Sequence, residues 1–362
     1  MKRIVLFLTA AATFAGCSTD LDINAPYKDI SVVYGLLSMR DSVHLVKVNK
    51  AYLGEGDAYT FAQIADSNEY HGEDITYAKV FRIGPNGAAL DSFPMTDTLI
   101  TNREPGTFYS PDQHLFTFRT PLAQVLLSGI RTFLYQDSRY ELRMRIKGNL
   151  VTSSTPVVND FTISSVDQDT ANNASRVNFM NPVGGGYGQY EFNWNSRYNG
   201  KRYVLSYRFR YDEIRGDDTL HKAITQRLAT KVTVNSQNIE ELAVIMNGES
   251  FYSTISNVIR SDGDYGSANR RVFMGLDFLI DVANDDLHTY LTLTEPVSGI
   301  IEDRPSYSNV TGAYGVWGGR YFKNVHGKRL SGPSLTELVE GQYTADLHFC
   351  SGVDPGSPNS CN

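Results

Sequence analysis

Seven histidines are the side chains of this sequence best suited to acid–base or metal chemistry, and their spacing points to neither. No histidine lies within four residues of another, so the spacings that hold a metal ion on one helix or strand are absent. The sequence also has no GxSxG elbow, no P-loop and no dinucleotide-binding fingerprint. We therefore expect no catalytic residue, no metal ion and no cofactor. The histidines are His44, His71, His114, His221, His288, His326 and His348.

Aromatic side chains in loops are the second group that could bind a ligand. Tyr and Trp stack on sugar rings and anchor protein contacts, because they combine a rigid apolar face with a polar group. Most of the 22 Tyr, 18 Phe and 2 Trp fall on alternating strand faces and should be core. The loop aromatics are Tyr187, Tyr265, Tyr307, Tyr314, Trp317 and Tyr321. We select Tyr314, Trp317 and Tyr321 as candidate ligand-binding residues.

The N-terminus predicts export and lipid attachment. Lys2 and Arg3 precede Ile4 to Gly16, thirteen residues without a charge, which is too short to span a bilayer and is typical of a secretory signal peptide. It ends at Phe14-Ala15-Gly16-Cys17, which resembles the bacterial lipobox. We expect residues 1–16 to be removed and Cys17 to be acylated, which anchors the protein to a membrane through lipid. The alternative is an ordinary signal peptide with a chance cysteine.

Residues 17–23 form the predicted lipidated tether. The stretch Ser18 to Asp22 is similar to the serine-then-acidic signal that moves Bacteroidota lipoproteins to the outer surface of the outer membrane. We therefore expect an outer-membrane protein exposed at the cell surface. The alternative is a polar tether that faces the periplasm.

The remaining cysteines, Cys350 and Cys361, are predicted to pair. An exported chain meets an oxidising compartment. The residues between them include Gly352, Pro355, Gly356 and Pro358, which favour the turns that bring two sulfurs together. A metal pair is the rival interpretation, but two thiolates fall short of a four-ligand zinc site.

Composition excludes one class of partner. The chain has 362 residues, 33 Lys and Arg, 40 Asp and Glu, a net charge of -7 and no basic cluster. A nucleic-acid-binding surface needs concentrated positive charge, so we expect no nucleic acid to bind.

Alternation of apolar and polar residues predicts a mainly β fold. It is clearest in residues 140–147 and 203–211, where aromatic and aliphatic residues share one face. The other strand candidates are Ser31–Leu37, Val43–Leu53, Ile75–Ile83, Leu115–Thr120, Phe161–Ser165, Gln189–Trp194, Leu228–Val234, Arg271–Ile280, Thr289–Leu293 and Tyr343–Phe349. Helices are predicted over Gln237–Ile259, as two short segments, and over Tyr59–Ala65 and Leu335–Glu340.

The small, polar stretch Ser153-Ser154-Thr155-Pro156 is the candidate boundary between two units. We expect an immunoglobulin-like β-sandwich over residues 24–155. A larger β-rich domain should follow over residues 156–349, with a helical insertion at 237–259. Residues 350–362 are predicted to be a C-terminal tail.

Two segments resemble a known family. SVVYGLLSMRDSVHLVKVNKAYLGEGDAY, from Ser31 to Tyr59, and YSNVTGAYGVWGGR, from Tyr307 to Arg320, are similar to the opening and closing signatures of uncharacterised Bacteroidota outer-membrane lipoproteins. The chain departs from the closing signature at Ala313 and Trp317. The resemblance implies a β-rich protein, and the genes of some members lie near those of TonB-dependent transporters. It transfers no catalytic residue.

Together these observations predict a non-enzymatic outer-membrane lipoprotein that binds a ligand or an envelope partner, with a transporter as the expected neighbour. The alternative is a glycan-binding lipoprotein or adhesin subunit that uses the loop aromatics. A hydrolase whose carboxylates meet from distant strands is a third hypothesis.

Overall fold

The structure, a computed structural model, describes residues 30–51, 57–163, 176–295 and 306–361. The predicted signal peptide, the acylation site Cys17, the tether 17–23 and the first residues of the predicted sandwich lie outside the described residues. No helix in the described ranges has the length and apolarity that crossing a membrane would require.

The protein is mostly β, which confirms the predicted fold class. The strands are β1 (Ile30–Leu37), β2 (Val43–Ala51), β3 (Ile75–Ile83), β4 (Ala89–Pro94), β5 (Thr96–Ile100), β6 (Gln113–Arg119), β7 (Gln124–Val125), β8 (Arg131–Thr132), β9 (Arg139–Ile146), β10 (Asn149–Pro156), β11 (Arg176–Val177), β12 (Gln189–Asn195), β13 (Arg202–Arg215), β14 (Asp218–Val232), β15 (Glu241–Asn247), β16 (Arg270–Ala283), β17 (Tyr314–Leu330) and β18 (Phe349–Ser351).

Five α-helices accompany the strands in the described ranges. They are α1 (Ala58–Ala62), α2 (Ala65–Asn68), α3 (Gly248–Ser261), α4 (Asp285–Thr294) and α5 (Gly332–Glu340). The three longer helices begin after polar caps: Asn247, Asn284 and Ser331 each accept a hydrogen bond from a backbone N–H in the first turn. Such caps satisfy donors that have no partner within the helix.

One large sheet runs through both halves of the chain, in the order β14-β13-β16-β17-β1-β2-β6-β5. The pair β1 and β17 is parallel, and the other neighbours along this path are antiparallel. The parallel pair joins a strand from the start of the chain to one near its end. The boundary predicted at 155 and 156 is therefore corrected: it separates neither two sheets nor two cores, since one buried apolar cluster spans both halves.

The two segments that carry the family resemblance meet at this parallel pair. Gly35 of β1 lies opposite Trp317 of β17, and a Cβ on Gly35 would lie 2.3 Å from Cζ3 of the indole. Gly315 has φ of +127°, and a Cβ there would lie 1.9 Å from the carbonyl oxygen of Val33. Both positions require glycine, one for the close approach of a ring and the other for backbone conformation.

A second sheet, in the order β10-β9-β3-β4, faces β1, β2 and β6. Alternate residues of each layer are buried, including Val33 and Val46 on one side and Leu142 and Met144 on the other. The strands before residue 156 thus form two facing layers, as a sandwich requires. One of those layers continues into the C-terminal half.

In the C-terminal half the pair β12 and β15, together with α3, packs on β13 and β16. Aromatic rings fill this interface. The ring centroids of Phe192 and Phe278 are 4.6 Å apart, and those of Phe179 and Phe251 are 4.2 Å apart. These rings bury apolar surface and pack against each other in the same core.

The structure corrects three predicted elements. Residues 343–349, predicted as a strand, contain the 3-10 helix Ala345–Leu347, and only Phe349 lies in β18. Residues 241–247, predicted as the first helix of the insertion, form β15, because Val244 and Met246 alternate with exposed Ile245 and the segment pairs with β12. The second predicted helix is present as α3. Residues 289–293, predicted as a strand, lie in α4, whose cap Asn284 starts a helix that the local alternation did not indicate.

The disulfide between Cys350 and Cys361 is present, which confirms that pairing. Cys350 lies in β18, which pairs with β16, so the predicted tail starts inside the sheet. Backbone hydrogen bonds from Ser351 N to Asn359 O (2.8 Å) and from Cys361 N to Ser351 O (3.1 Å) hold the segment as well.

We expect Cys361→Ser to lower the free energy of unfolding by at most about 3 kcal/mol, because the bridge closes a short loop. Urea unfolding of the oxidised protein and the variant measures this difference. Ligand binding elsewhere in the molecule should not change. A loss of all β structure in the variant would contradict the local role of the bridge.

Candidate functional site

The predicted aromatic binding set is not a surface platform. Trp317 and Tyr321 are fully buried, whereas Tyr314 is 57% exposed. The indole N–H of Trp317 donates to the carbonyl oxygen of Tyr140 (2.8 Å), and the Tyr321 hydroxyl donates to Asp160 (2.8 Å). Trp317 and Tyr321 are corrected to core residues, because they sit on the inner face of β17 rather than in a loop.

An apolar cleft lies instead on the outer face of β1 and β2. Its volume is about 540 Å³, within the range typical of small-molecule sites. Its floor consists of two cross-strand pairs, Val32 with Asn49 and Tyr34 with Lys47. These residues face outward because Val33, Val46 and the other alternate positions of the two strands face the core.

Two short segments form the walls of this apolar cleft. Ala58, Tyr59 and Ala62 of α1 line one side, and Thr107 and Phe108 line the other. Tyr59 is 74% exposed and Phe108 is 49% exposed, so both rings stand at the rim. Apolar side chains left open around a cavity favour a ligand that buries apolar surface.

Helix α1 is held in position by polar contacts. Asp57 caps it by accepting from Tyr59 N (3.1 Å) and from the Thr60 hydroxyl (2.9 Å). The buried amide of Asn68 donates to the carbonyl oxygens at the end of the helix, including that of Ala62 (2.9 Å). The side-chain amide of Gln63 donates to the carbonyl oxygen of Thr107, which ties the two walls together (2.6 Å).

Lys47 places a positive charge on the floor of the cleft. Burial lowers its pKa from the usual value, the nearby Arg103 lowers it further, and Glu69 opposes this shift. Within the described part of the chain its ammonium makes no ion pair, whereas the ammonium of neighbouring Lys50 donates to the carbonyl oxygen of Asp66 (3.1 Å). An ammonium that loses hydration without gaining a partner is stabilised by an anion.

Two further polar groups lie beside Lys47. The Tyr34 hydroxyl accepts from the Tyr290 hydroxyl (3.4 Å), and burial together with this neighbour raises the pKa of Tyr34 to about 12. The side-chain oxygen Oδ1 of Asn49 is buried and accepts no hydrogen bond from the described residues. A cleft with apolar walls and a few polar groups on its floor is suited to an amphiphile with an anionic head.

His44 lies under a neighbouring cavity and is an acid-sensitive point of the fold. It is 2% exposed, its ring lies 4.6 Å from that of Phe118, and its Nε2 is 3.0 Å from the Thr120 hydroxyl. Burial, and secondarily the charge of Arg320, lowers its pKa to about 4. Between pH 6.5 and about pH 4, His44 is therefore protonated in the unfolded chain but neutral in the folded protein.

We expect the free energy of unfolding to fall by up to about 3 kcal/mol through His44 as the pH drops from its ordinary pKa of 6.5 to about 4. His44→Phe keeps a ring on Phe118 and removes this loss. Urea unfolding at neutral pH and at about pH 5 measures it. His221→Phe, at a side chain that is 82% exposed, is the matched control and should keep the wild-type dependence.

Sequence reasoning missed the residues of the apolar cleft, although part of the signal was available. The alternation in β2 places Leu45, Lys47 and Asn49 on one face. It did not show that α1 and Phe108 would stand over that face, because these contacts join segments distant in sequence.

Comparison with known proteins adds little to this geometry. No family model and no curated protein matches the chain. Among solved structures it is similar to the C-terminal globular domain of an oligosaccharyltransferase from Pyrococcus abyssi, at 11% identity and a TM-score of 0.24. The match covers 69% of this chain and 45% of the oligosaccharyltransferase domain. This chain therefore spans less than half the length of that domain.

Proposed function

We propose that this protein is a non-enzymatic, lipid-anchored binding protein of the outer membrane, exposed at the cell surface beside an envelope transporter. Its ligand is a single-chain amphiphile with an anionic head, held in the apolar cleft. The observation that carries the ligand assignment is Lys47, a half-buried cation without an ion-pair partner in the described residues, on the floor of that cleft.

The cleft chemistry supports this ligand class. An apolar chain would bury surface against Val32, Tyr59 and Phe108, at about 25 cal/mol per Å² of area removed from water. A carboxylate or phosphate head would pair with the Lys47 ammonium, and such charge-assisted hydrogen bonds are stronger than neutral ones. The amide of Asn49 adds a group that can donate to the same head.

The proposed location depends on Cys17. Intact-mass measurement of the protein extracted from membranes should show a chain that begins at an acylated Cys17, and Cys17→Ser should abolish membrane retention. Recovery with an envelope transporter after mild detergent extraction would support the partner assignment. An unmodified N-terminus at another residue would overturn the anchored location.

Ligand binding is tested with 1-anilinonaphthalene-8-sulfonate, an apolar anion whose fluorescence rises on burial. We expect saturable binding with displacement by dodecanoate and by dodecyl phosphate, which share the anionic head. Ala58→Trp places an indole in the cleft from the exposed face of α1 and should remove the signal.

Ala88→Trp is the matched control, since Ala88 is exposed in the turn between β3 and β4. It should bind the probe as the unmodified protein does. Equal binding by both Trp variants would place the probe elsewhere and overturn the assignment of the apolar cleft.

A further inference from the structure

A second cleft, which we call the polar cleft, has a volume of about 690 Å³. It lies where the turn before β9, the end of β10 and the start of α4 meet. Its lining differs from that of the apolar cleft because it consists mainly of amide and carboxylate side chains. Several of these already serve the fold: Asp286 accepts from the hydroxyls of Tyr307 (2.7 Å) and Thr155 (3.2 Å). Others keep hydrogen-bonding capacity for a ligand.

Asn159 is the most informative of these residues. It lines the polar cleft although it is only 5% exposed, and its Oδ1 is buried without a hydrogen bond from any described residue. A buried acceptor without a donor is rare in native proteins and costs stability. The χ2 torsion of Asn has a broad distribution of allowed angles. A small rotation about χ2 therefore turns Oδ1 of Asn159 towards a hydrogen-bond donor in the cleft.

Further groups around Asn159 supply both acceptors and donors. Asp137 is exposed and makes no ion pair within the described ranges, and Asp285 uses only Oδ2, which accepts from the Ser236 hydroxyl. Gln136 accepts from Asp160 N (3.1 Å) through Oε1, and its NH₂ group can donate. Tyr198, 42% exposed, adds an aromatic ring to the lining.

Charge decides which ligand class fits the polar cleft. The lining holds three carboxylates, on Asp137, Asp285 and Asp286, against the single guanidinium of Arg139. The excess of negative charge would repel an anion. No group of three or more His, Cys, Asp or Glu in the described residues could hold a metal ion. Arg197 is outside the lining, but its guanidinium lies 5.7 Å from the centre of the Tyr198 ring, so a positive charge already lies beside the ring that an organic cation would use.

We propose that the polar cleft binds a neutral carbohydrate, with a sugar hydroxyl donating to Asn159 and a ring face packing on Tyr198. Sugar hydroxyls donate and accept at once, which matches the mixture of carboxylate and amide groups. Aromatic rings provide the apolar surface that a sugar ring covers. This site is separate from the apolar cleft and does not depend on its ligand.

Saturation-transfer NMR of the purified protein with maltose, cellobiose, lactose and N,N′-diacetylchitobiose tests this proposal. We expect saturable binding of at least one of these neutral disaccharides. Asn159→Leu and Tyr198→Ala should each weaken it about tenfold or more. Asn159→Leu should leave the melting temperature unchanged or raised, because it removes an unsatisfied buried acceptor, whereas a purely structural Asn159 would lower it.

Tyr59→Ala, at the rim of the apolar cleft, is the control and should not affect sugar binding. Because Tyr198 is exposed, Tyr198→Ala should fold. This variant still tests sugar binding if Asn159→Leu fails to fold. The proposal is overturned if none of the disaccharides binds, or if binding is unchanged in both polar-cleft variants. Binding of protonated glucosamine without any neutral sugar would also overturn it, in favour of a cation site.

Discussion

Trp317→Ala should lower the free energy of unfolding by about 3–5 kcal/mol, the cost of removing a large buried aromatic side chain. The indole fills the space over Gly35, its ring centroid lies 6.5 Å from that of Phe118, and its N–H donates to the carbonyl oxygen of Tyr140. Removing it leaves a cavity between the two facing sheets and an acceptor without its donor. Urea unfolding, followed by circular dichroism, measures the difference.

Tyr314→Ala is the matched control, three residues earlier in the same strand. Because Tyr314 is 57% exposed, its truncation should change the free energy of unfolding by no more than about 0.5 kcal/mol. Similar losses for the two variants would contradict the assignment of Trp317 to the core.

Lys47→Met should weaken binding of dodecanoate by about tenfold or more, corresponding to about 1.4 kcal/mol. The change keeps an unbranched, apolar chain on the cleft floor and removes only the charge that pairs with the anionic head. Lys47→Arg should retain most of the affinity. Calorimetric titration of the three proteins at one ionic strength measures these differences, since salt screens exposed charges more than partly buried ones.

Lys50→Met provides the comparison within the same strand. The Lys50 ammonium already donates to the Asp66 carbonyl oxygen, and it lies 5.1 Å from the centre of the Tyr70 ring. We expect its removal to weaken binding much less than the Lys47 change. Lys50 also lines the apolar cleft, so a larger loss at Lys50 would assign the anionic head to Lys50 instead of Lys47.

Local pattern was sufficient for much of the secondary structure. The alternation at residues 203–211 lies within β13, and the predicted helix Leu335–Glu340 lies within α5. It failed at residues 241–247, where apolar residues fit both a helical face and a strand face. Pairing with β12, about fifty residues earlier in the chain, decided in favour of the strand.

The large sheet and the two clefts could not be predicted from local pattern. Gly315, Gly318 and Gly319 lie within β17, where they allow close approach to β1 and α4. Trp317, which the sequence analysis assigned to a loop, lies in the same strand. Likewise, the sequence does not indicate that Asn159 and Tyr198 line one cleft, because this cleft forms only when β10, α4 and the neighbouring loops come together in the fold.

The most direct test of the central claim is native mass spectrometry of the protein incubated with equal amounts of dodecanoate and dodecanol. These molecules share an apolar chain and differ in the head that Lys47 contacts. The account predicts that one dodecanoate binds per chain in strong preference to the alcohol, and that this preference disappears in Lys47→Met. Equal occupancy by acid and alcohol, or no bound molecule in the unmodified protein, would contradict it.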